Sequence, residues 1–90
     1  MVETLCHEDF APHVSKLFRF LGWHGALRLT DIQHGAAQRP FTLLFQGPPG
    51  DILPEGLYTG IVDDGVRLEF YIMPIHTPAA DRQDYQAVFN

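Results

Sequence analysis

The chain has 90 residues, 46% hydrophobic and 19% charged, a balance that excludes disorder and suits one folded domain spanning residues 1–90. Eleven acidic residues against six Lys and Arg give a net charge of −5, a poor match for phosphate backbones or anionic lipid, so no nucleic acid and no membrane is expected as a partner. A single cysteine, Cys6, excludes an internal disulfide framework and zinc sites built from several thiolates.

The first ten residues carry neither a basic start nor an apolar run, which predicts no signal peptide and a cytoplasmic protein. His7 to Val14 is predicted as one or two helical turns, with Phe10 and Val14 spaced i, i+4 and Pro12 limiting the length. Lys16 to Leu21 reads as a strand with Phe18 and Phe20 on one face, and Gly22-Trp23-His24-Gly25 as a turn. Ala26 to Gln33 follows, with Leu27 and Leu29 inward and Arg28 and Thr30 outward. Its alternation breaks at Asp31-Ile32, where a bulge is expected. His34 to Arg39 is a polar loop.

Phe41 to Gln46 alternates again, with Pro40 at its start. Gly47 to Glu55 holds three prolines and reads as a stiff loop. Leu57 to Val62 and Val66 to Pro74 flank Asp63-Asp64-Gly65. This is a hairpin signal, expected as a type I′ turn with positive φ at Asp64 and Gly65. Thr77 to Asp84 is a polar connection. Tyr85 to Phe89 closes the set, with Tyr85, Ala87 and Phe89 on one side. Six short strands at roughly ten-residue spacing predict an all-β chain. The expected architecture is a single small antiparallel β-barrel or rolled sandwich with one short N-terminal helix.

Catalytic chemistry finds no footing in the spacing. The five histidines, His7, His13, His24, His34 and His76, form no HExxH and no i, i+4 pair, so structural or solvated roles are expected and no metal or other cofactor. Cys6 sits beside His7, yet adjacency does not make the imidazole face the thiol, and Ser15 lacks a G-x-S-x-G context. Gly47-Pro48-Pro49-Gly50 lacks the GK[ST] and the N–H donors of a phosphate loop. Asp63, Asp64 and Asp51 do not match the spacing of a calcium loop. The expectation is a protein without enzymatic activity.

One feature goes beyond a core pattern. Tyr71, Met73 and Ile75 fall opposite Leu68, Phe70 and Ile72, and Leu44 falls opposite Phe41, Leu43 and Phe45. An outward strand face is ordinarily polar. Either the helix or a long loop covers these four residues, or they form a surface for a protein partner or a homo-oligomer.

The chain also resembles an uncharacterised family of small bacterial domains of about 90 residues. Leu5-Cys6-His7-Glu8-Asp9-Phe10 is similar to its L-T-x-E-D-F, and Pro40 to Pro48 to its P-F-S-L-L-F-x-G-P. Leu53 to Tyr58 is similar to L-P-Q-G-T-Y, and Tyr85 to Asn90 to Y-x-A-V-F-N. The resemblance implies a compact β domain and no reaction. It links the chain to tail-fibre or collar-type proteins of phage-like particles, and so to a structural role. The family's Thr is Cys6 here, a weaker helix cap. The reading is thus a non-enzymatic structural or protein-interaction module. The alternative is a small-molecule-binding β-barrel, with Gly60 opposite large aromatics leaving room for a ligand.

Overall fold

The computed structural model describes residues 5–34 and 40–90; positions 35–39 of the expected polar loop lie outside the described residues. Six antiparallel strands form a closed barrel: β1 (Leu17–Phe20), β2 (Ala26–His34), β3 (Phe41–Gly47), β4 (Gly56–Val62), β5 (Arg67–Pro74) and β6 (Gln83–Phe89). The spatial order is β1-β2-β3-β6-β5-β4, with β4 pairing back onto β1. The barrel therefore consists of two three-stranded meanders, β1–β3 and β4–β6, joined along both edges. Closure, rather than a rolled sandwich, follows from β1 pairing with both β2 and β4.

The N-terminal helix, α1 (His7–Phe10), runs into a 3-10 turn over Ala11–His13 that contains Pro12. The Asp9 carboxylate accepts the Cys6 N–H at 2.8 Å, and the Asp9 N–H donates to the Cys6 carbonyl at 3.0 Å. Asp9 thus closes the helix start in place of a hydroxyl at position 6. The helix ends sooner than its predicted limit at Val14. Val14 leaves the helical conformation and is exposed, Ser15 takes a φ of 75°, and the Phe10–Val14 pair does not form. Phe10 enters the barrel end, its ring 5.4 Å from Phe70, 5.4 Å from Phe89 and 6.3 Å from Phe41.

The interior is filled by side chains. Phe18, Phe20, Leu27, Leu29, Phe41, Leu43, Phe45, Phe70, Ile72, Tyr85 and Ala87 are all buried. Burying each large apolar side chain stabilises the fold by roughly 1.5–3 kcal/mol relative to exposure. Gly60 leaves no room among them. A Cβ there would lie 3.1 Å from Phe18, 3.3 Å from Phe20 and 3.3 Å from Phe70. The aromatic rings occupy the space expected for a ligand. Leu53, from the proline-rich loop, plugs the end opposite α1, and its N–H donates to the Tyr85 hydroxyl at 3.0 Å. Burial raises the Tyr85 phenol pKa, opposed by that hydrogen bond.

The break in β2 falls one residue before its expected place. The β2–β3 register shifts between Leu29 and Asp31, with Thr30 as the extra residue. Its hydroxyl donates to the Leu44 carbonyl at 3.1 Å. The bulge lets Leu29 and Ile32, three residues apart, both meet the core.

The β4–β5 hairpin also differs from its sequence reading. Gly65 has φ 91°, but Asp64 is not at positive φ. The Gly65 N–H donates to the Val62 carbonyl and the Val66 carbonyl accepts the Val62 N–H, both at 2.9 Å. This is a three-residue loop with glycine at its left-handed position, rather than a type I′ turn. Gly65→Val is expected to cost about 1–3 kcal/mol, because a β-branched residue is strained at that φ. Urea denaturation checks this. An unchanged midpoint would show that the turn readily relaxes.

Candidate functional site

The strand registers bring the four predicted surface residues onto one face. Gln86 of β6 lies opposite both Leu44 of β3 and Met73 of β5. One step toward the Leu53 end, Asp84 lies opposite Gln46, and its carbonyl accepts the Ile75 N–H at 3.0 Å. One step the other way, Tyr71 of β5 and Val88 of β6 lie beyond the paired part of the β5–β6 seam. Leu44, Tyr71, Met73 and Ile75 thus share the outer surface of β3, β6 and β5.

They are not equally open. Tyr71 is 45% exposed, while Leu44, Met73 and Ile75 are half-buried. The Gln86 amide reaches the Met73 sulfur at 3.6 Å. Leu44 and Ile75 line a crevice of about 90 Å³ with Thr30 and Asp84, too small for most ligands. The Tyr71 hydroxyl donates to the Glu55 carboxylate, which raises the pKa of this exposed phenol. α1 packs against the barrel end through Phe10, so it does not cover this face.

Sequence reading missed two members. Leu57 lies directly opposite Tyr71 and is 63% exposed, and Val88 is 45% exposed. The signals were present. Val88 is out of phase with inward Tyr85 and Ala87, and counting back from the Gly65 turn places Leu57 beside Tyr71.

The β5–β6 seam itself is short. Only Met73–Gln86 and Pro74–Tyr85 are in register. Beyond them the rings of Phe10, Phe70 of β5 and Phe89 of β6 meet.

The histidines are dispersed. His7 and His34 stack at 4.8 Å, His13 is buried with its ring edge-on to Phe18, His24 pairs with Asp51, and His76 is exposed. No group of three metal-binding side chains occurs among the described residues. The Cys6 thiol points toward Glu8, at 4.0 Å, not toward His7. No described helix is long and apolar enough to cross a membrane.

No curated protein and no solved structure matches the chain. One family model does, across residues 5–89, which take in all six strands and the capping helix. The closed barrel and its helix cap are therefore the body of a member of the family described as domain of unknown function (DUF6916), to which this chain belongs.

Proposed function

We propose that the domain is a non-enzymatic structural or protein-interaction module, of bacterial or phage-like origin, that associates through the outer face of β3, β6 and β5. The supporting observation is the apolar side chains that this side of the barrel shows. Leu57, Tyr71 and Val88 are exposed and Leu44, Met73 and Ile75 half-buried, with Gln86 of β6 between Leu44 and Met73. Aromatic residues and Met are enriched in interface cores, and a few central residues carry most of the binding energy. Tyr71 is the central candidate, with its ring on the apolar face and its hydroxyl on Glu55.

Replacing Tyr71 by Ser and Met73 by Thr together tests this reading. The expected result is a solution mass above the 10.2 kDa of one chain for the native protein, falling to one chain for the double variant with an unchanged circular dichroism spectrum. If the contact is with another protein, that protein's retention falls at least tenfold, about 1.4 kcal/mol. A native monomer that retains nothing in a Tyr71-dependent way overturns the proposal.

A further inference from the structure

The β1–β2 turn forms a second surface feature, on the β1–β4 side of the barrel. A groove of about 320 Å³ is lined by Arg19, Phe20, Leu21, Trp23, His24 and Ile61, with Gly22 and Gly25 in its floor. That volume lies within the range of small-molecule sites.

The posture of Trp23 has a local cause. The Trp23 N–H donates to the Phe20 carbonyl at 3.0 Å, folding the turn back on β1. The indole then lies against Gly25, where a Cβ would be only 2.7 Å from the ring. A glycine at 25 is what lets the ring settle there and present apolar surface to the groove.

The polar side of the groove is cationic. Arg19 points outward from β1 and makes no ion pair with a described residue. Ile61 of β4 lies opposite Arg19 on one side and Arg67 of β5 on the other. A second guanidinium thus lies on the same outward row. The carboxylate that reaches a lining residue is Asp51, and His24 engages it. In a chain of net charge −5, Arg19 and Arg67 flank Ile61 without an ion pair to a described carboxylate. A guanidinium fork matches a carboxylate, and an indole with Leu21 and Ile61 matches an apolar or aromatic body.

We propose that this groove binds an amphipathic carboxylate, its acid group held by Arg19 and its apolar body lying on Trp23, Leu21 and Ile61. The ligand is either a free small acid or the terminal carboxylate of a peptide with an aromatic last residue. The two share the recognised chemistry.

Trp23 is the single tryptophan of the chain, so its fluorescence reads this groove directly. The probes are 4-phenylbutyrate, its neutral amide, and a tripeptide ending in Phe with a free or an amidated C-terminus. Saturable emission changes are expected for at least one of the two carboxylates, with a Kd below about 1 mM. The response that saturates at lower concentration distinguishes the free acid from the peptide end. The amides, and Arg19→Gln with a native circular dichroism spectrum, bind at least tenfold more weakly. The Tyr71→Ser, Met73→Thr double variant titrates like the native chain, which keeps this site separate from the association surface. Three results each overturn the proposal: no saturable change up to about 10 mM, equal affinity for acid and amide, or undiminished binding by Arg19→Gln.

Discussion

Phe70→Ala is expected to remove a large share of the domain's stability and to lower its melting temperature steeply. The side chain is 3% exposed. Its ring lies 5.4 Å from Phe10, 5.8 Å from Phe45 and 5.9 Å from Phe20. It therefore touches the capping helix and both meanders at once. Truncating a buried Phe costs about 3–5 kcal/mol through lost burial and the cavity left behind. A domain of this size has roughly 5–13 kcal/mol in total. Collapse of neighbouring rings into the gap is limited, since each is already packed on others. Thermal denaturation followed by circular dichroism is the check. A melting temperature within a few degrees of the native value would mean that the aromatic cluster does not depend on this ring.

Gly60→Val is the second large effect, and it acts by crowding. The missing side chain of Gly60 is the space in which the rings of Phe18, Phe20 and Phe70 meet, at 3.1 to 3.3 Å from the position of a Cβ. Valine suits a strand, and removing a glycine reduces unfolded-state entropy by about 0.4–1 kcal/mol. Both effects favour the variant. Against them stands an added isopropyl group, three carbons, directed into buried rings, and overpacking of this kind costs about 1–3 kcal/mol or more. The rings come from β1 and β5 and are packed on further rings, so the crowding outweighs the gains. A net loss of about 2 kcal/mol corresponds to a fall in melting temperature of roughly 8–16 °C. Gly60→Ala falls less, because one methyl needs shifts of only a few tenths of an ångström. A rise in melting temperature for the valine variant would show that the rings have slack.

The strands were legible because alternation is a local signal. Phe18 and Phe20, Leu27 and Leu29, and Phe70 and Ile72 each mark an inward face, and the structure buries all six. Capping was half legible. Cys6 reads as a weak N-cap, and the compensating Asp9 carboxylate belongs to a hydrogen bond from the other direction. The turn at Gly65 was located correctly, but its type depends on backbone angles at Asp64 that composition does not specify. Gly60 was misread for a different reason. A sequence shows where a side chain is missing and not which distant rings fill the gap. The surface residues Leu44, Tyr71, Met73 and Ile75 were found by phase alone. Their adjacency needed the β3–β6 and β5–β6 pairings, which join segments far apart in the chain. Arg19 alternates with Phe18 and Phe20, but its place beside Trp23 depends on a turn folding back on its own strand.

The meander architecture has a kinetic consequence. Within each three-stranded half, strands consecutive in the chain pair with each other, but the ladders that join the halves pair Phe18 with Val62 and Phe41 with Phe89. The entropy of bringing such remote partners together must be met before most of the core forms, which places folding among the slower, milliseconds-to-seconds class. During that interval each half presents two bare strand edges. The same ladders can be made with the second half of another molecule, the Gly47 to Glu55 linker then serving as the hinge. Such an exchanged dimer would keep its doubled mass when Tyr71 and Met73 are replaced, and its abundance would follow the concentration at which the chain was refolded rather than the concentration at which it is measured.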